Sequence, residues 1–142
     1  MNLSPNFTLE EFTRSETAVK LKLSNQPQVE LLNTLRHTAE CMEEVRELLG
    51  NRPITITSGY RTQTVNNAVG GAKSSQHLTG QAVDFICAGF GPPAAIMKRL
   101  AGSDLDFDQL ILEFGKWVHI SFPLPGRREK LVIDSTGTRF FT

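Results

Sequence analysis

The sequence is poor in several features that would point to particular classes of protein. Only two cysteines occur among the 142 residues, Cys41 and Cys87, so no disulfide framework or cysteine-rich zinc finger is expected. We interpret both as buried, reduced thiols. Charge of one sign is also lacking, because 15 Lys and Arg balance 15 Asp and Glu. Without an overall field to attract nucleic acid or an anionic membrane, we expect neither as a partner.

Long apolar runs are absent as well. The longest apolar stretches are a few residues, far below the roughly 20 that span a bilayer. Residues 1–6 show no basic segment followed by an apolar one, so no secretory signal is visible and we expect synthesis in the cytoplasm. A hydrophobic content of 39% over this length predicts one domain covering residues 1–142, and nothing demands more than a monomer.

The patterns that are present place helices first and strands later. Thr8 followed by Glu11 has the form of a capped helix start in a short N-terminal arm from Ser4 to Glu16, and residues 25–27 then break the chain. Apolar residues at helical spacing from Val29 to Leu49 predict a long amphipathic helix, which Gly50 ends. Further predicted elements are a strand at 54–57, short helices at 64–69 and 93–100, a strand at 81–87, a hairpin of 110–114 and 117–122, and a strand at 130–133. This order predicts an α+β fold in which an antiparallel sheet packs with helices.

The chain contains three histidines. His37 lies inside the long helix, where we expect a structural role. His77 precedes a strand in which Asp84 interrupts an apolar run, and His119 lies in the apolar strand that follows Trp117. A carboxylate in such a strand is costly to bury unless it is paired or binds a cation. Two histidines and one carboxylate can provide three ligands for Zn²⁺ and leave a fourth position open. The residues alone leave a buried His–Asp ion pair equally open.

Four segments carry a more specific signal. The central one has the form Ser-x-His-x-x-Gly-x-Ala-x-Asp, from Ser75 to Asp84, and it is joined to a downstream Trp-x-His that ends at His119. The others are the Ser-Gly-Tyr-Arg turn at 58–61 and the run at 67–72, and the arm at 7–18 contributes too. Together they resemble the zinc D-Ala-D-Ala carboxypeptidase family, which includes phage endolysins, and in particular its short single-domain branch.

The resemblance implies a fold, a cofactor and roles for individual residues. The fold would be the hedgehog-like fold of zinc D-Ala-D-Ala carboxypeptidases, with one zinc ion held by His77, Asp84 and His119. Arg61 would bind a substrate carboxylate and stabilise the tetrahedral intermediate, and Ser75 would bind substrate near the metal. The implied reaction is hydrolysis of peptide bonds in peptidoglycan stem peptides, by a carboxypeptidase or an endopeptidase.

The general base is the point at which the sequence departs from the family pattern. Many relatives have Asp or Glu three residues before the last histidine, where this chain has Lys116. If residues 114–116 form a three-residue hairpin loop, Glu113 and Gln109 share a face with His119. We therefore predict Glu113 as the base and Gln109 as a substrate-binding residue. Asp106 and Asp108 are better explained as turn residues.

An alternative function is a catalytically inactive zinc-binding module of the same fold, for structure or for partner binding, which Lys116 in place of the acid favours. For the enzyme, a phage or prophage lysin that a holin or cell lysis releases to the wall is a fitting context. The bond that is cut stays open at this stage.

Overall fold

The computed structural model describes residues 1–142. The strands are β1 (Asn2–Ser4), β2 (Phe7–Thr8), β3 (Thr55–Ser58), β4 (Ala82–Ile86), β5 (Gln109–Glu113), β6 (Trp117–Ser121), β7 (Glu129–Asp134) and β8 (Gly137–Phe140). The α-helices are α1 (Leu9–Thr13), α2 (Glu16–Leu21), α3 (Leu32–Leu48), α4 (Gln63–Ala68) and α5 (Pro93–Ala101), and a 3₁₀ turn at Val29–Leu31 leads into α3. Helices and a sheet are therefore both present, as the predicted α+β class requires.

The predicted helix starts and stops follow from local hydrogen bonds. The Thr8 side chain accepts the Glu11 amide and the Glu11 carboxylate accepts the Thr8 amide, which completes a capping box at α1. The long predicted helix is present as the 3₁₀ turn plus α3, and Gly50 follows it with φ +77°. Such a left-handed conformation favours glycine, which is why the helix ends there. The small β1–β2 ribbon and α2 were not predicted, because each is too short to show a period.

The main sheet has six strands in the order β3-β4-β6-β5-β7-β8. Four of its strand pairs are antiparallel, but β5 and β7 run parallel. The predicted purely antiparallel sheet is therefore wrong, and the sheet is mixed. The reason lies in the connection: β6 ends beside the start of β5, and residues 122–128 cross to the far edge of β5 and begin β7 at that same end. A strand that begins at the same end as its neighbour runs parallel to it.

Alternation along the central strands gives the sheet two different faces. The residues that join the hydrophobic core are Val83 and Phe85 of β4, Leu110 of β5, and Val118 and Ile120 of β6. The helices α3 and α5 complete this core, and α5 contacts both β5 and β6. The intervening residues point to the opposite face, which places Asp84, His119 and Glu113 together there. No helix in the structure is long and apolar enough to serve as a membrane span.

Candidate metal centre

One row across the sheet supplies two of the three predicted metal ligands. Asp84 of β4 lies directly opposite His119 of β6, and Ser58 of β3 lies opposite Asp84 on the other side. The Nδ1 atom of His119 is 3.0 Å from the Oδ1 atom of Asp84. Antiparallel pairing alone therefore brings a carboxylate and an imidazole into contact.

The third predicted ligand, His77, comes from the loop before β4. Its Nδ1 atom lies 2.7 Å from the Gly59 carbonyl oxygen and donates to it, which leaves Nε2 as the lone-pair nitrogen. That Nε2 atom is 3.3 Å from Asp84 Oδ1. A backbone carbonyl on the far ring nitrogen is the usual partner that fixes the orientation of a metal-binding histidine.

Gly59 has a steric reason to be glycine. A Cβ atom at this position would collide with the carbonyl oxygen of Phe12, the residue whose carbonyl also accepts the Tyr60 amide at 2.7 Å. The end of α1 is therefore packed directly against the backbone that orients His77.

The three side chains fit a catalytic zinc site by their chemistry. One ligand atom from each of His77, Asp84 and His119 lies within 4.8 Å of the other two, and all three residues are buried. Two imidazoles and a carboxylate are a ligand set that zinc uses when a fourth position stays open for water or substrate.

Protonation states in the cluster suit a cation. Burial raises the pKa of Asp84, but the adjacent side chains of His119 and His77 outweigh burial and hold the pKa well below its usual range. Burial lowers the pKa of His77, which favours the neutral imidazole. Metals bind carboxylates and neutral imidazoles, so these two shifts favour the ligating forms of Asp84 and His77.

Arg61 lies at the edge of the cluster. Its Nη2 atom is 3.7 Å from Asp84 Oδ2, Nη1 donates to Asn66 Oδ1 at 3.2 Å, and Nε donates to Ser58 Oγ at 3.3 Å. The Arg61 amide also donates to the His77 carbonyl. The guanidinium is therefore held in place on several sides while its side chain keeps 17% exposure.

Glu113 lies on the same face as His119, as the hairpin prediction requires. Glu113 is opposite Trp117, so residues 114–116 form the three-residue loop, and Ile111 is opposite His119. Burial raises the pKa of Glu113, and the nearby negative charge of Asp84 raises it further. Lys116 is exposed in the loop beyond the strand end, so it does not occupy the position that Glu113 takes.

The two remaining predicted residues have local partners. Ser75 Oγ accepts the His77 amide at 3.2 Å, so it supports the turn that carries the ligand. The Gln109 side chain donates to Glu129 on β7 at 2.7 Å. The structure brings Ser75 close to the cluster and directs Gln109 toward β7, and their roles toward substrate stay predictions.

Residues outside the predicted set support the cluster. The buried Asn66 holds Arg61 and donates to the Ala72 carbonyl at 3.0 Å. Only the cost of an asparagine inside a helix could have signalled it. His37 lies on α3 with Nε2 3.7 Å from Cys41 Sγ, away from the cluster. Both cysteines are free and buried, as predicted.

The part of the chain that carries the cluster also matches a known protein family. A sequence model described as Peptidase M15 matches residues 5–121. A zinc D-Ala-D-Ala carboxypeptidase of Streptomyces albus G is 42% identical over 43 residues, which are 30% of this chain and 17% of that protein. The chain therefore aligns with well under two thirds of this relative. The family and the name of the relative imply zinc, and the His77–Asp84–His119 cluster could bind it. Because the family model covers most of its length, this chain belongs to the peptidase M15 family.

Proposed function

We propose that residues 1–142 form a single zinc peptidase domain that hydrolyses peptide bonds in peptidoglycan stem peptides. The observation that carries the proposal is the buried cluster of His77, Asp84 and His119, with Arg61 and Glu113 around it. The fold we assign to it is the hedgehog-like fold of zinc D-Ala-D-Ala carboxypeptidases. The name of the Streptomyces relative supports this substrate class.

Each residue around the cluster has a task in this proposal. His77, Asp84 and His119 would hold a zinc ion, which would lower the pKa of a bound water toward about 7 and polarise the scissile carbonyl. The raised pKa of Glu113 suits a base that accepts a proton from the attacking water and returns it to the leaving amine. Arg61 offers a fixed guanidinium to a substrate carboxylate or a developing oxyanion. Ser75 and Gln109 complete the proposed substrate contacts.

For the biological context we propose an endolysin. A phage or prophage enzyme would be made in the cytoplasm and would reach the wall through a holin or after lysis. We propose that it acts as a monomer.

The test is cleavage of a defined muropeptide by the purified, zinc-loaded protein, with products identified by mass spectrometry. We expect hydrolysis of a stem-peptide bond, and we expect Glu113→Gln to lower kcat by about 10²–10⁴-fold while zinc stays bound. Glu40→Gln, which changes an exposed carboxylate on α3, is the matched control and keeps its activity.

The outcomes separate the two functions. An uncut muropeptide, under conditions in which a related enzyme cleaves it, would refute the peptidase and leave the zinc-binding module that Lys116 favours. If the wild type cleaves and Glu113→Gln cleaves equally well, the peptidase stands and the assignment of the base is wrong.

A further inference from the structure

A polar cavity of about 470 Å³ lies between β3, the residues that begin α2 and the end of α4. Only three of its 11 lining residues are hydrophobic. A ligand of this cavity must therefore be polar or charged, and it needs groups that match those of the walls.

The cavity lies next to the cluster of His77, Asp84 and His119, although none of these three residues lines it. Arg61 and Ser58 line the cavity and are also neighbours of Asp84: Arg61 Nη2 lies 3.7 Å from an Asp84 oxygen, and Ser58 is opposite Asp84 in the sheet. A ligand in the cavity would thus reach the cluster at the end of β3.

The strand that forms one wall lies at the edge of the sheet. β3 pairs with β4 on one side only. The Ile56 carbonyl accepts a hydrogen bond from Arg14 Nη2 at 3.4 Å, and Thr55 and Thr57 are exposed. An unpaired strand edge is a surface on which an extended peptide can add as a further strand.

Charge identifies the kind of peptide. The cavity is lined by two arginines, Arg14 and Arg61, against one glutamate, Glu16. Ser58, Asn66 and Asp84 hold Arg61 beside the cluster, so Arg61 serves the part of the ligand nearest the metal. The exposed Arg14 has one long bond to a carbonyl, and a guanidinium offers five N–H donors in a fork that matches a carboxylate.

We propose that Arg14 determines specificity by binding a carboxylate of an acidic peptide that lies extended along β3, with the adjoining residues at the metal cluster. The inference rests on the proposed peptidase function and narrows its substrate class to peptides that carry a carboxylate a few residues from the cluster.

The experiment compares stem peptides that differ only by amidation of one carboxylate at a time. Dissociation constants are measured by titrating zinc-loaded protein into fluorescently labelled peptide, and KM and kcat replace them where mass spectrometry shows cleavage. The variants are Arg14→Gln, Arg14→Lys and, as a matched control on α2 outside the cavity, Lys20→Gln. Thermal melts check that each variant is folded.

For the wild type we expect amidation of one carboxylate to raise Kd or KM about fivefold. This factor is the upper range for the loss of one exposed ion pair. Arg14→Gln removes this difference without a change in kcat, Arg14→Lys restores part of it, and Lys20→Gln retains it. The proposal is overturned if Arg14→Gln shows the same discrimination as the wild type for every amidated peptide, if it weakens binding of all peptides equally, or if the wild type discriminates against none.

Failure of the peptidase proposal gives a different result. Arg14-dependent binding without cleavage would keep the carboxylate site and refute the peptidase. Cleavage without Arg14-dependent discrimination would keep the peptidase and refute the carboxylate site at Arg14.

Discussion

At the scale of single residues, the candidate metal-binding cluster depends on how His77 is oriented. Asp84 and His119 are placed by strand pairing, whereas His77 lies in a loop and is held through its Nδ1 bond to Gly59. The position of that carbonyl depends in turn on the contact between Gly59 and Phe12. The geometry of the third ligand therefore depends on a residue that contacts no metal.

We predict that Gly59→Ala both destabilises the protein and weakens zinc binding. The added Cβ forces the Gly59 backbone away from Phe12, which costs about 1–3 kcal/mol of unfolding free energy and moves the partner of His77. Loss of that outer contact lowers zinc affinity about 10–100-fold. Denaturant unfolding and competition with a chelator measure the two effects.

Gly102→Ala is the matched control, because a Cβ there meets its nearest atom at 3.4 Å, an ordinary contact. We expect it to change stability by less than about 1 kcal/mol and zinc affinity not at all. Wild-type zinc affinity in Gly59→Ala would show that Gly59 does not control His77.

At the scale of elements, the crossover from β6 to β7 is held mainly by the carboxylate of Asp108. Asp108, just before β5, accepts from Arg127 Nε and Nη2 at 2.8 Å each, from the Arg127 amide at 3.2 Å, and from Gln76 Nε2 at 2.8 Å. It thus ties residues 122–128 to the segment that carries His77. The prediction that Asp108 is a turn residue is consistent with its position just before β5. That prediction did not include its hydrogen bonds to Arg127 and Gln76.

We predict that Asp108→Asn lowers the unfolding free energy by about 1–3 kcal/mol, because a neutral amide replaces the buried carboxylate that accepts these hydrogen bonds. The exposed Asp106, which accepts only the Gly126 amide, provides the control Asp106→Asn, with an effect within about 0.5 kcal/mol. Urea unfolding at neutral pH measures both. Equal effects of the two changes would contradict the role given to Asp108.

The pH dependence of stability follows from the same network. Hydrogen bonds from Arg127 hold the pKa of Asp108 well below its usual range. A depressed carboxyl pKa contributes stability that is complete above the unfolded value of about 3.9 and is lost as pH falls below it. Between pH 5 and pH 2 we therefore expect the wild type to lose more stability than Asp108→Asn does.

How far the sequence predicts these elements depends on whether the pattern is local. The hairpin was predictable because a three-residue loop and strand alternation fix which face Glu113 occupies. The strand β8 was not, because all four of its residues are exposed and show no alternation. The parallel pairing of β7 depends on which edge of β5 is free, which no local pattern records.

The same limit applies to the candidate site. His77, Asp84 and His119 were predictable because polar residues beside or within apolar strands are conspicuous and match a specific motif. Asn66 and Arg14 were not predicted, since their meaning comes from contacts across the fold with Arg61 and Ile56. Gln109 shares the face of His119 by alternation. The parallel pairing of β7, which was not predicted, brings Glu129 beside Gln109, and Glu129 binds the Gln109 side chain.

At the scale of the whole molecule, the two faces of the mixed sheet have different roles. One face joins the hydrophobic core with α3 and α5, and the other carries the cluster and Glu113. Because successive residues of β4 and β6 alternate between the faces, Asp84 and His119 each lie between core residues that fix their backbone. Such a scaffold places two of the three candidate ligands on rigid strands, which suits a site that must hold its geometry.

The central claim is that this cluster binds one zinc ion. Crystals grown with zinc and measured at its absorption edge test it directly. We predict one anomalous peak, about 2.0–2.2 Å from His77 Nε2, an Asp84 carboxylate oxygen and His119 Nδ1. Crystals that contain zinc but show no peak between these three side chains would contradict the assignment of the metal centre.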